Sequence, residues 1–509
     1  MIIARAPSAG SAAERRHPER LLAAVALLAG LAAWIVYLDA GLVLAHYDAR
    51  AHLVVARRVI DSLTPGWRQI GAVWLPLPHL VQVLPTQVDV LYRTGAFGSL
   101  LSIACLAAAV WAAARLVLST TGSRLGAAVS AALVLLNPNL LYLHVTPMTE
   151  PMLIAATLVS LVLLHEWLIA SSAGRVPSAL GWALLLTMWT RYEAWPIVCA
   201  ALAVAAFVVW RQAGDPVVAA RQIWRLSRWP AAAVLLFLLL SRATVGEWLE
   251  SDGFYERDPT YEGQLIKSVV AIWWGTHRLS GYFIESAALA AAAWTVWRGL
   301  RRADAARCLL PVALFAAAAL PAYAFHAGHP FRIRYMVPVV AACALFCGLA
   351  VGWLHARARR GAGAAHWVLA ALLIASTIVE SPPWNRRSPL LVESGLDAVN
   401  SEARRRVTEC LAPAYRGEKI LASMGSLAHY MQELARDGFA IADFIHEGNG
   451  ALWTFALETG PAPHAGWMLV EEIAEGGDVL ARRIRSDPGF TRGMTKVCEG
   501  GGVSLYHRD

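Results

Sequence analysis

A chain of 509 residues, 57% of them hydrophobic and only 16% charged, carries more apolar sequence than a soluble domain of that length can bury. Its formal charge of +8 is no nucleic-acid footprint, because the arginines fall in short segments between apolar runs, as the positive-inside rule requires. Composition therefore excludes a soluble globular enzyme and a nucleic-acid binder, and predicts an α-helical polytopic membrane protein.

Residues 1–20 read as a basic, disordered cytoplasmic head holding Arg5, Arg15, Arg16 and Arg20. Residues 21–380 form the membrane body, with about eleven spans near the ~20 residues that a crossing needs. They are expected at 21–38, 96–118, 125–145, 151–170, 178–190, 196–210, 229–244, 279–297, 308–325, 336–354 and 366–380. The fifth and eleventh are short. Arginines cluster in alternate connections: Arg115 and Arg124, Arg175, Arg211 to Arg228, Arg298 to Arg307, and Arg357 to Arg360. Those connections are assigned to the cytoplasm, which puts the amino terminus inside and the carboxyl-terminal region outside. The first span lacks a clear small-residue cleavage site and reads as a retained anchor.

The first outer loop, residues 39–95, is too long for a simple connector. Within it, residues 48–63 suit an interfacial helix whose apolar stripe is Leu53, Ala56, Val59/Ile60 and Leu63. Thr64-Pro65-Gly66 ends that helix, and the segment from Val73 to Leu80 is expected at the membrane surface, with Trp74 among the headgroups.

Charged residues at the outer face are costly unless they handle something polar. Asp48, in His46-Tyr47-Asp48-Ala49-Arg50, is the first candidate, and also suits an N-cap, a position that would hold its carboxylate rigidly. Glu150 follows Thr149, which is expected to cap the fourth span. Thr190-Arg191-Tyr192-Glu193 lies between spans five and six, and its opposite charges can neutralise each other. The segment from His326 to Tyr335 sets His326, His329, Arg332 and Arg334 against the positive-inside trend, so it calls for an anion or for headgroup anchoring. Arginine forks match phosphate oxygens bidentately. The loop at 245–278 reads as solvated and mobile. His46, Asp48, Glu150, His326 and His329 are possible metal donors, but no HxH, HExxH or CxxC spacing supports a metal, so no cofactor is required.

Ser381-Pro382-Pro383-Trp384-Asn385 marks the start of a third zone, 381–509, read as a small extracytoplasmic α/β domain. Strands are expected at 419–424, 466–470 and 502–506, with helices at 426–437 and 478–485. The first strand–turn–helix has no GxGxxG, which argues against nucleotide binding, and leaves a lid, an acceptor-binding role or a structural cap. Cys410 and Cys498 are the two cysteines of this zone, either a disulfide or two free thiols.

An outer Asp in a long first loop, surface helices after it, an acid after span three and Arg-Tyr before a late span together resemble the glycosyltransferase-C superfamily. The likeness is to its bacterial branch related to dolichyl-phosphate-mannose protein mannosyltransferases and lipid A aminoarabinose transferases. It covers the layout of residues 21–380 and rests at residue level on 46–80, 146–152 and 331–338. The resemblance implies a polyprenyl-phosphate-linked sugar donor, an extracytoplasmic acceptor, and inverting transfer at the outer face of a bacterial cytoplasmic (inner) membrane. It makes Asp48 the general base and Glu150 a positioning carboxylate. Arg334, with Arg332 or Arg191, would hold the leaving phosphate, with His329, Tyr335 and Glu193 beside them. The chain departs from the common pattern in having Ala49 rather than a second acid after Asp48, and Glu193 competes with Glu150 as the second carboxylate. A transporter or flippase, and a noncatalytic scaffold, are the alternative readings. Mid-membrane charges would mark the transporter.

Overall fold

Long runs of Ala and Leu carry the best helix propensity and leave no side chain to compete with the backbone for hydrogen bonds. The computed structural model describes residues 17–170, 176–249, 257–358, 363–473 and 477–509. The fold is 73% helical. Arg5, Arg15, Arg16, Arg175, Glu250, Asp252, Glu256, Arg359 and Arg360 lie outside the described residues.

Among the described residues, seven helices are long and apolar enough to cross a membrane: Pro18–Asp39, Ala96–Thr121, Glu150–Ile169, Ala194–Ala213, Pro216–Thr244, Ala303–His326 and Ile333–Ala358. Shorter apolar helices, Arg124–Leu136, Ser178–Met188 and Ala365–Glu380, occupy three more of the expected positions, and Tyr282–Arg301 occupies the eighth. Their lengths of 13, 11 and 16 residues fall below the length of a full crossing.

Ile333–Ala358 is the hub. Most of its apolar window (89%) is buried in protein, against 11% for Pro18–Asp39 at the periphery. Gly348 lets it approach Arg124–Leu136 at Gly126, where a Cβ on either glycine would strike backbone, and Gly352 leaves room for the Thr121 side chain. Small residues are how helices pack closely where the surrounding solvent is lipid. Charges gather at the ends of the bundle. Arg115 pairs with Glu166 at 2.9 Å and lies 4.0 Å from Glu19. The opposite ends of the same three helices lead to Asp48, Ala96 and Glu150.

The tail opens with helix Pro389–Ala414. Five strands follow: β1 (Ile420–Ala422), β2 (Phe444–Ile445), β3 (Trp467–Glu471), β4 (Met494–Gly500) and β5 (Val503–Arg508). The sheet order is β2-β1-β3-β5-β4, parallel from β2 to β3 and antiparallel at β5 and β4. The expected strands are β1, β3 and β5, and the expected helices are Met424–Leu434 and Val479–Ser486. β2 escapes pattern reading because it is two residues long. β4 escapes because its middle is exposed and polar. At the amino end of Met424–Leu434 the Glu447 carboxylate accepts the Met424 N–H at 2.7 Å. The position where a helix could cradle a phosphate is filled by the chain itself. Cys410 and Cys498 form a disulfide that ties Pro389–Ala414 to β4.

Two expectations for the loops are corrected. The helix in the first loop is Tyr47–Arg57, and its stripe faces protein rather than lipid: Leu53 and Val54 pack with Leu427, Tyr430 and Met431 of the tail. Apolar periodicity identifies a buried face but not what covers it. Trp74 is half-buried and packs on two histidines of its own loop. Its ring lies 4.4 Å from His52 and 5.8 Å from His79, centroid to centroid. The second half of the 245–278 loop is not coil, since Leu265–Ser280 is a helix with Gly275 against Met336 and Phe331, while the described residues before it form exposed turns. Polar clamps lock loop to tail. Arg50 donates to Glu433 at 2.7 Å and Ser401 at 2.8 Å, and Asp61 accepts the N–H groups of Ile441 and Ala442 at 3.1 and 3.0 Å.

Candidate functional site

Four helix starts converge at one end of the bundle, those of Tyr47–Arg57, Glu150–Ile169, Ala194–Ala213 and Val337–Ala358. Each brings charge with it: Asp48 in a first turn, Glu150 at a first position, Arg191 and Glu193 just before a start, and Arg334 in the tight turn Ile333–Met336. Helix starts carry partial positive charge, which steadies carboxylates there and favours an incoming anion.

Asp48 is not the N-cap. His46 takes that place, its Nδ1 accepting the Asp48 N–H at 3.1 Å, so the Asp48 side chain is released to form an ion pair with Arg334. Burial pushes the Asp48 carboxyl up. Arg334 more than offsets this, with smaller contributions from His46, His52 and Arg332, and holds it far below the usual carboxylate range. Thr149 does not cap its helix either. Its hydroxyl accepts from Arg191 at 2.8 Å. Arg191 bridges both acids that competed for the second role, at 3.1 Å from Glu150 and 2.9 Å from Glu193. Glu150 also lies 4.0 Å from Arg334.

The resulting cluster sets two guanidinium groups, the buried Arg334 and the half-buried Arg191, among three buried carboxylates, Asp48, Glu150 and Glu193. Its hydrogen bonding is incomplete. Among the described residues, neither Glu150 oxygen nor Arg334 Nε has a hydrogen-bond partner. Buried polar groups in that condition are rare in folded proteins and point to a ligand or to solvent. Arg332 is half-buried and adds its positive field at Asp48 and Glu393. His329 and Tyr335 contact each other, Nε2 to hydroxyl, at 3.3 Å. His326 is exposed. No group of three or more His, Cys, Asp or Glu among the described residues is arranged to hold a metal ion.

Sequence reasoning missed four participants. His52 stands one helical turn after Asp48, and its Nδ1 meets His79 Nε2 at 3.0 Å, both rings buried. The i, i+4 spacing of Asp48 and His52 was the available signal. Glu393 and Asp397, also one turn apart, come from the tail helix Pro389–Ala414. Asp397 accepts the Tyr47 N–H at 3.0 Å, and Glu393 Oε1 lies 3.5 Å from His46 Nε2. With His46 Nδ1 already accepting, the ring hydrogen is assigned to Nε2 and points at Glu393. Arg334 Nη1 lies 3.2 Å from that nitrogen, a contact that cannot then be a hydrogen bond.

Burial depresses the histidines around this interface. It holds His52 and His446 at about 3, and His79 and His429 well below the ordinary histidine range. A histidine whose folded pKa lies below the unfolded value of about 6.5 withholds a proton that the unfolded chain takes up. Its contribution is complete above 6.5 and is lost as pH falls toward 3. At pH 5, His52 alone costs roughly 2 kcal/mol. The thermal midpoint of the detergent-purified protein is therefore expected to drop between pH 7.5 and pH 5, and His52→Gln is expected to shrink the drop. A midpoint that stays level over that range contradicts the burial of these rings as neutral groups.

A scan against protein-family models and a search of curated proteins return no match to this chain.

Proposed function

We propose that the protein is a membrane glycosyltransferase that moves a sugar from a polyprenyl-phosphate donor to an extracytoplasmic acceptor with inversion. The observation that carries this reading is the buried cluster itself, in which separate loops deliver Asp48, Glu150, Arg191, Glu193 and Arg334 to one place. Arg334 Nε, which makes no hydrogen bond to the described residues, and the converging helix starts suit a phosphate anion. The arginine pattern supports an orientation with this end of the bundle, and the tail domain, outside the cytoplasmic membrane, on a reading of about eleven crossings.

In the step itself, Asp48 takes the proton of an acceptor hydroxyl or amine. The freed lone pair bonds to the anomeric carbon on the face opposite the phosphate, and the carbon–oxygen bond to phosphate breaks. The lipid phosphate leaves as an anion held by Arg334, so no general acid is needed. Phosphate binding to Arg334 loosens its hold on Asp48 and returns basicity to the carboxylate where it is used. Glu150, held by Arg191, positions the sugar or acceptor. A transporter would place its charges at mid-depth, whereas these gather at helix ends.

The test compares cells lacking the protein, restored with wild type or with Asp48→Asn at equal membrane abundance. Mass spectrometry follows polyprenyl-phosphate sugars and envelope glycans together. Asp48→Asn is expected to lower one glycan by about 100- to 10,000-fold, the range of general-base contributions, while its lipid-linked sugar accumulates. A wild-type profile from that variant overturns the transferase reading.

A further inference from the structure

Resting on the transferase reading, we propose that Glu393 is a substrate-positioning residue, its Oε2 accepting a hydrogen bond from a hydroxyl of the transferring sugar or of the acceptor. The tail then completes the site rather than merely covering it. Three observations point there. Glu393 Oε1 is held at 3.5 Å from His46 Nε2, which fixes the carboxylate from one side. Its Oε2 is buried and has no hydrogen-bond partner among the described residues. The Glu393 side chain is 25% exposed, against 8% for Asp48 and 1% for Glu150, so it stands on the open side of the cluster.

Asp397, one turn on, is already committed to the Tyr47 N–H and cannot play this part as freely. Burial raises the Glu393 carboxyl, but His46, Arg334 and Arg332 outweigh that and keep it ionised. An ionised carboxylate is an acceptor only, so its ligand must bring the hydrogen, and sugar hydroxyls are the matching donors. Charge-assisted bonds of this kind are strong and directional, which is what positioning requires.

The experiment uses cells lacking the protein, restored with wild type, Glu393→Ala, Glu393→Gln or Asp48→Asn. The probe for in-vitro transfer is the lipid-linked sugar extracted from the Asp48→Asn cells, given to membranes of each strain. Glu393→Ala is expected to lose 30-fold or more in transfer, and Glu393→Gln, which keeps an acceptor oxygen, to recover to within about 5-fold of wild type. A raised KM for the lipid-linked sugar assigns the hydroxyl to the sugar, and a lowered kcat at unchanged KM assigns it to the acceptor. Wild-type transfer by Glu393→Ala, equal losses in both Glu393 variants, or a lowered thermal midpoint in Glu393→Ala overturns the proposal. Failure of the lipid-linked sugar to accumulate in Asp48→Asn cells overturns the underlying transferase reading instead.

Discussion

Arg334→Gln is expected to abolish measurable transfer and to destabilise the membrane body at the same time. Arg334 is buried against Asp48, within 4.0 Å of Glu150, and starts the most enclosed helix of the bundle. Removing it leaves carboxylates with reduced compensation in a low-dielectric site. Breaking a buried pair from one side costs about 3–5 kcal/mol. On the proposed transferase reading, the step loses a preorganised cation at the point where the leaving phosphate would develop charge, a loss of about 100- to 1,000-fold by itself. Arg334→Gln combined with Asp48→Asn separates the two effects. With both charges gone, most of the lost stability should return, because a neutral buried pair is cheap. Transfer should not return, since the proposed base and the proposed phosphate ligand are both missing. Thermal unfolding in detergent and transfer from the extracted lipid-linked sugar measure the two sides. A double variant no more stable than Arg334→Gln would mean that the Asp48–Arg334 pair is not the source of the loss.

Cys410→Ser is expected to produce the second large effect, on the tail. The disulfide closes a sequence separation of 88 residues and fastens the helix carrying Glu393 and Asp397 to the outermost strand, β4. In the chain-entropy model a loop of that length contributes about 4.6 kcal/mol. That is a large part of a small domain's total stability. The tail should then melt before the membrane body, with limited trypsin cutting near β4 as the readout. Transfer should fall with it, because the helix that approaches His46 and Tyr47 loses its anchor. Cys498→Ser should behave alike, and the double variant no worse than either single one. A tail of unchanged midpoint under reduction would show that the interface with the first loop, through Arg50 and Asp61, is sufficient.

Much of the membrane body was readable from apolar runs. Length and hydrophobicity are local properties, and a lipid-embedded backbone has almost no option but helix. The corrections came where context decided. Asp48 and Thr149 each had the chemistry of a cap, yet both were drawn away by arginines distant in sequence. Local propensity gives way when a buried ion pair competes for the same side chain. The stripe of Leu53 and Ala56 was rightly read as apolar and wrongly assigned to lipid, because a helix's hydrophobic face does not name its partner.

From the sequence alone follow the helical class, the approximate positions of the apolar helices, three of the five described strands, and the identity of Asp48, Glu150, Arg191, Glu193 and Arg334 as charges in unusual places. Each depends on periodicity, composition or position along the chain. Only the tertiary structure decided that those charges form one cluster, that Arg191 serves both Glu150 and Glu193, that His52 and His79 pair beside it, and that the tail contributes Glu393 and Asp397. Those are meetings between residues up to some 350 positions apart, as with Tyr47 and Asp397. No local pattern records such a meeting, because it is set by how the helices pack and not by what any one of them prefers.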